Sequence, residues 1–338
     1  MRKYLLPDSD NFYKANLHVH TTVSDGQMTP EEIKRIYREH GYSIVAFTDH
    51  EIMVPQAHLT DGEFLAITST EISVNERNDC DFNLTKTYHL NIYSPMENKY
   101  CFGSFDRSKM WLEGSMKYIT REQEDCSICR TYDIENVNRV IQMANDEGCL
   151  VSYNHPVWSL QDYSDYIGLR GLWGIELYNT GCARNGYRDS DKPLDDLLRI
   201  GERVLPLATD DAHRIEDCFG GFVMIRAGEL SYDSVFSALR DGDFYASEGP
   251  EIYEISIDDG IVSIHTSAVA FASLSTDTRF NYTRRCEEGN MTEVSFDIKW
   301  YLERSRDGVN RHQYIRLTLM DSSGRHAYSR AYFLDEFI

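Results

Sequence analysis

Short apolar runs alternate with amphipathic stretches through the first two-thirds of the chain. Ala15 to His20, Ser43 to Thr48, Phe64 to Ser73, Tyr88 to Tyr93, Cys149 to Asn154, Leu172 to Asn179 and Val204 to Thr209 read as strands. Apolar spacing predicts helices over Ile134 to Glu147 and Pro193 to Ile200. A further helix spans Thr29 to His40: Thr29 caps it, Pro30 suits the first turn, and Glu31 and Glu32 favour its positive end. His40 and Gly41 close that helix, so His40 reads as a terminating residue. Strand–helix alternation of this kind indicates a parallel sheet or barrel.

The rhythm breaks at Ser94 to Asp133, a segment rich in Tyr, Met, Trp and charge that follows a strand end. It reads as an insertion, either a lid or a surface excursion with some helix. After a helix around Ser231 to Asp241 the pattern changes again. Short alternating segments follow, including Val294 to Tyr301 and Tyr314 to Met320, with a turn at Asp321 to Gly324. The expected division is a main domain over 1–246 and a small antiparallel β domain over 247–338. His265, His312 and His326 lie in the latter without shared spacing and read as strand or turn residues.

A length of 338 residues suits about two domains, or one large barrel with an appendage. Hydrophobic residues at 41% supply a sizeable core. The formal net charge of −21 opposes a protein that coats DNA or RNA, whose affinity comes from cations neutralising phosphates. It leaves room for a small phosphorylated substrate, since bound cations invert the local field. The 8 cysteines are scattered, and the Cys126/Cys129 pair has no second CxxC to complete a zinc site. No run of about 18 apolar residues exists, so no membrane span is expected. These features read as a soluble protein of the reducing cytoplasm.

Chemistry concentrates at the strand ends. The first strand ends in His18-Val19-His20, and alternate strand residues share a face. Two imidazoles therefore project together, as a metal ion requires. Asp25 lies in the following turn. The next strand ends in Thr48-Asp49-His50, and Glu71, His89, His155 and Asp210-Asp211-Ala212-His213 follow at or beside later strands. Six of the 11 histidines occupy such places, and in a β/α barrel the strand C-termini converge on one face. Imidazoles and carboxylates hold zinc, manganese or iron at hydrolytic centres. Each motif alone is weak, but a bland core would not bury so many titratable groups together.

HVHTTVSDG, FTDHE, TSTEIS, YHLNIYS, YNHP and TDDAH, in this order, resemble the polymerase and histidinol phosphatase (PHP) family over about residues 15–215. The resemblance implies a distorted barrel of roughly seven strands with up to three divalent metal ions at one face. Carried over residue by residue, it implies that His18, His20 and Asp211 hold one metal, with Glu71 bridging to a second. His89 and His155 would complete that second site, and Asp25, His50 and His213 the third. Asp49 and Asp210 would orient ligands rather than bind metal. FYASEGP and the β appendage are similar to a longer subgroup of the family. A full ligand set before residue 214 implies no metal ligand beyond Ser247.

The expected activity is hydrolysis of a small phosphate ester by a metal-activated hydroxide attacking phosphorus. Asn179, Arg184 and Arg226 are candidate substrate contacts; a planar guanidinium would grip a non-reacting phosphate. Hydrolysis of C–N or other non-phosphate bonds, an exonuclease-like phosphodiesterase, and a metal-retaining regulator without turnover are the competing classes. Zn, Mn and Fe all suit the ligand set, and the oligomeric state is not legible.

Overall fold

The computed structural model describes residues 2–7, 11–99, 103–188, 190–305 and 312–337. Residues 100–102 of the expected insertion, including Cys101, lie outside the described residues. Strands run in chain order as β1 (Lys3–Leu6), β2 (Phe12–Val19), β3 (Ile44–Phe47), β4 (Leu65–Asn75), β5 (Thr87–Tyr93), β6 (Leu150–Tyr153), β7 (Gly174–Asn179), β8 (Leu205–Thr209) and β9 (Phe222–Arg226). β10 (Phe244–Ser247), β11 (Ile252–Asp258), β12 (Ile261–Val269), β13 (Phe271–Thr276), β14 (Asn281–Arg285), β15 (Met291–Asp297), β16 (Tyr314–Met320), β17 (His326–Ser329) and β18 (Tyr332–Phe333) follow. The fold is mixed α/β. A large sheet has the order β14-β13-β16-β17-β10-β9-β2-β3-β4-β5-β6-β7-β8, and a smaller one the order β1-β11-β12-β15.

Local chemistry explains the helices. Thr29 accepts a hydrogen bond from the Glu32 amide, and Glu32 returns one to the Thr29 amide, closing a capping box ahead of the helix Pro30–Glu39. Ile33, Ile36 and Tyr37 form its buried stripe. In Ile134–Asp146 the buried residues are Val137, Val140, Ile141 and Ala144, the spacing of one helical face, and Asp133 caps the start. Tyr232–Asp241 is capped by Ser231 and stops at Gly242, whose φ of 73° favours glycine.

Strand direction positions the site. β2, β3 and β4 are parallel, as are β6, β7 and β8. β5 is antiparallel to both β4 and β6. The uniform strand–helix alternation expected from the pattern fails at two links: β3 to β4 and β4 to β5 each carry a single 3-10 turn (Ala57–Leu59 and Phe82–Leu84), and the shorter one, 76–86, folds back where 48–64 crosses over. One rim therefore gathers the ends of β2, β3, β4, β6, β7 and β8 together with the beginning of β5. Beyond β8 the chain returns to β2: the Asp211 amide donates to the His18 carbonyl at 2.8 Å, and the His20 amide to the Ala212 carbonyl at 3.0 Å.

A division between residues 246 and 247 falls at the end of β10, and several contacts cross it. β1 pairs with β11, β10 pairs with β17, and one apolar cluster unites Ile33, Val45 and Phe47 with Ile264, Phe296 and Leu317. The strand expected over Val294 to Tyr301 stops at Asp297, whose carboxylate accepts the Lys299 amide at 3.0 Å and starts the helix Lys299–Ser305. The insertion holds short helices at Glu113–Met116 and Arg121–Asp125. Its Phe105 and Met110 pack with Val23 and Ile52 beside the rim. Among the described residues no helix is long and apolar enough to cross a membrane.

Candidate metal centre

β2 delivers His18 and His20 to the same side, and both are fully buried. Their Nε2 atoms face each other at 3.2 Å. Asp211 Oδ1 lies 3.3 Å from His18 Nε2 and 3.1 Å from His20 Nε2. The Glu71 oxygens approach the same two nitrogens at 3.3 and 3.4 Å. On its other flank Glu71 Oε1 meets His89 Nδ1 at 3.1 Å and His155 Nε2 at 3.3 Å. Its Oε2 meets His50 Nδ1 at 3.3 Å. Asp25 joins His50 and His213 at 3.7 and 3.4 Å.

All nine residues expected as metal ligands thus converge on the rim. Three groups with metal-binding spacing contain them: His18, His20, Glu71 and Asp211; Glu71, His89 and His155; His20, Asp25, His50 and His213. No group among the described residues includes a cysteine or a residue beyond 213. His89 reaches the rim from the start of a reversed strand, not from a strand end. His155 and Asp211 carry φ values of 27° and 51°, and Glu51 beside His50 one of 64°. Three non-glycine residues in the left-handed region mark backbone strained where the side chains are aimed.

The neighbouring carboxylates separate by environment. Asp49 accepts the Thr21 amide at 2.8 Å and the Ser24 hydroxyl at 2.7 Å, fixing the turn that carries Asp25. Asp210 accepts the Tyr37 hydroxyl, the Thr180 hydroxyl and the amides of Phe219, Gly220 and Gly221. It faces away from the imidazoles, whereas Asp211 faces them. Burial raises the carboxyl pKa of both Asp49 and Asp210. Burial would also raise Glu71 and Asp211, but the surrounding imidazoles outweigh it and hold both well below the ordinary carboxylate range. Burial pushes the imidazoles down. In His20 and His155 the hydrogen bonds and charges of Asp211 and Glu71 overcome this, giving about 10 and about 9. In His50 burial, reinforced by His20, leaves a pKa of about 3.

Glu176, on β7, is the residue the motifs did not disclose. It is fully buried and saturated. Oε1 lies 2.7 Å from His18 Nδ1 and accepts the Thr209 hydroxyl at 2.6 Å. Oε2 accepts the His155 amide at 3.1 Å and Asn179 Nδ2 at 3.0 Å. An ionised carboxylate only accepts, so a neutral His18 carries its proton on Nδ1 and turns its Nε2 lone pair into the cluster. A single Glu in GIELYN gives no motif; its only sign is a carboxylate inside an otherwise apolar strand.

The expected substrate contacts fare differently. Asn179 is buried, bonds Glu176 and Asp211 through Nδ2, and accepts the Cys182 amide. It braces the cluster. Arg226 pairs with Phe12 in the β2–β9 register, at the opposite end of β2 from His18, and binds Asp243 at 3.1 Å. It is not brought to the centre. Arg184 is half-exposed and lies 3.9 Å from Asp217. No ion pair of the cluster among the described residues involves Lys or Arg. Arg130 of the insertion is buried and pairs with Glu51, whose Oε1 accepts the Ser73 amide and hydroxyl.

No protein-family model matches the chain, and no curated protein does. Solved structures are similar to it. A two-domain protein from Bacteroides vulgatus containing a predicted PHP-like metal-dependent phosphoesterase is 14% identical, with 98% of each chain covered and a TM-score of 0.45. An amidohydrolase from Chromobacterium violaceum is 15% identical over 59% of this chain and 87% of its own, with a TM-score of 0.37. A lesion-specific endonuclease from Pyrococcus furiosus is 15% identical over 68% of this chain and 56% of its own, with a TM-score of 0.39.

Proposed function

We propose that this chain is a metal-dependent phosphoesterase of the PHP type acting on a small phosphorylated molecule. The observation that supports it is the spacing of the innermost donors. Ligands about 2.1 Å from a tetrahedral ion lie about 3.4 Å apart. The donor contacts among His18, His20, Glu71 and Asp211 run from 3.1 to 3.4 Å. Buried His20 Nδ1, on the side of Asp25, also lacks a hydrogen-bond partner. A folded protein does not leave such atoms orphaned without compensation.

In this reading His18, His20 and Asp211 hold one ion, Glu71 with His89 and His155 a second, and Asp25, His50 and His213 a third. Divalent ions there would polarise phosphoryl oxygens and acidify water near neutral pH, whether zinc, manganese or iron. Glu71 ties the first two groups together, and Glu176 holds His18 in the tautomer that can ligate. Asp25 and His213, at 27% and 34% exposure, form the open edge where substrate enters. The curled sheet is read as a distorted barrel, with residues 247–338 as a β appendage that supplies no ligand. The acidic exterior and the absence of Lys or Arg in the cluster's ion pairs favour one phosphoryl group over a long polyanion. Scattered cysteines support a place in the reducing cytoplasm.

The test strips the protein with chelator, reloads it with Zn, Mn or Fe, counts metal per chain, and assays phosphomonoesters, phosphodiesters, amides and long single-stranded DNA at matched salt. Metal-dependent turnover, highest on a small phosphoester, is expected. Failure to retain metal, or hydrolysis of amides alone, would overturn the reading. Faster digestion of the DNA would shift it to a nuclease.

A further inference from the structure

Two tryptophans lie against the histidine cluster on its His50–His89 side. His50 and His89, each 12% exposed, present rings 5.7 Å apart there. Trp111, from the insertion, lies 6.4 Å from the His50 ring. Trp158, from the loop after β6, lies 5.3 Å from His89 and 5.1 Å from His155. Trp158 is half-buried, but Trp111 is 63% exposed.

An indole left this open forfeits most of the favourable energy that burial would give it. Its backbone is nonetheless held. Met110 before it is buried against Val23 and Ile52, and the Ser115 hydroxyl after it donates to the Val23 carbonyl at 2.8 Å. Val23 precedes Asp25 by two residues, so the insertion fixes Trp111 to the turn that carries a candidate ligand. The exposed ring is thus carried on a held backbone beside the centre.

We infer that Trp111 and Trp158 form a subsite for the organic part of the substrate, and that this part carries a flat aromatic ring. The inference rests on the phosphoesterase reading for where the phosphoryl group sits. A ring one carbon from the ester oxygen lies within about 6 Å of phosphorus, a span set by a few single bonds. Indoles whose centres lie 5.1–6.4 Å from the candidate ligand rings are within reach of a group attached at that span. Offset or edge-on contact with an aromatic ring gains from the π system as well as from burial; a saturated ring of the same size gains burial alone.

The test compares benzyl and cyclohexylmethyl phosphates, whose leaving alcohols are similar in acidity, and the inert benzyl- and cyclohexylmethylphosphonates, on protein loaded with Mn²⁺ or Zn²⁺. Trp111→Ala should raise the KM for benzyl phosphate, and the Kd for benzylphosphonate, by about two- to tenfold. The cyclohexyl compounds should shift less, and kcat, metal content and Tm should hold. Trp111→Phe should restore most of the preference. Trp158→Ala should act in the same direction. Equal shifts on both ring types, or none, would overturn the subsite. A wild-type protein that hydrolyses neither ester but binds benzylphosphonate through Trp111 would sink the phosphoesterase reading and leave the subsite standing. Turnover without a Trp111-dependent preference would do the reverse.

Discussion

Glu176→Gln changes one atom of a side chain that touches no solvent, and its effect follows from four hydrogen bonds. The carboxylate accepts two donors on each oxygen, namely His18 Nδ1 and the Thr209 hydroxyl on one, the His155 amide and Asn179 Nδ2 on the other. A carboxamide keeps one acceptor oxygen and presents an NH₂ in place of the other. If the NH₂ faces His155 and Asn179, two buried donors lose their acceptor. At roughly 1–3 kcal/mol each, the fold loses about 2–6 kcal/mol. If the NH₂ faces His18, Nδ1 must accept, the ring proton moves to Nε2, and the lone pair aimed at Glu71 and Asp211 is gone. Loss of such a supporting group typically lowers metal affinity by about 10–100-fold. Either orientation therefore leaves a mark, and the two are separable. Urea unfolding of stripped protein reads the first; competition with a metal-chelating dye reads the second. If Glu176→Gln unfolds within about 0.5 kcal/mol of wild type and binds metal as tightly, the role assigned to Glu176 is wrong; surface-like substitutions behave that way.

Glu71→Gln should remove metal from two sites together, since its oxygens touch His18, His20, His89 and His155, whereas His50→Ala should chiefly empty one; metal counting per chain distinguishes these outcomes. Metal loading near pH 7 should release protons, because the stripped protein holds His20 and His155 protonated up to about 10 and about 9, and affinity should fall as pH drops. By the same linkage those two groups stabilise the stripped protein fully below their unfolded value of about 6.5, and that contribution is lost as pH rises through 9 to 10. A Tm of stripped protein that rose over that window would contradict the assignment. Arg130→Met strands the buried Glu51 carboxylate and should cost about 3–5 kcal/mol in urea unfolding; adding Glu51→Gln should recover part of it.

The candidate ligands were legible because each sits in a short motif in or beside a strand, where periodicity says that neighbouring side chains converge. What lies behind them was not. Glu176 and Asn179 act through hydrogen bonds to groups far along the chain, and neither carries a local signature. Asn179, beside a strand end, and Arg226, a residue equally suited to pairing with an acidic neighbour, are the candidate substrate contacts that lie elsewhere in purpose or place. Register sets Arg226 opposite Phe12, and Asn179 turns inward. The reversal of β5 was equally hidden, since composition does not show whether a linker crosses over or folds back. His89 nevertheless reaches the rim, because reversing a strand exchanges its ends. The pairing of β1 with β11 was invisible for the same reason: four residues of Lys3–Leu6 carry too little pattern to name a partner.

That last pairing has a consequence in time. Lys3 lies opposite Ile257 and Tyr4 opposite Ser256, so β1 docks on a strand made roughly 250 residues later. At synthesis rates of about 5–20 residues per second, β1 waits about 12–50 s for its seat. Through that interval its backbone donors and acceptors are open to proteases and to other nascent chains. On the same ribosome-bound timescale, β11 emerges with a bare edge that any copy of Lys3–Leu6 can fill. Two chains exchanging this strand would make the same hydrogen bonds as one chain alone, so crowded expression should yield reciprocally swapped dimers, seen as a second peak in size-exclusion chromatography, with the histidine cluster intact.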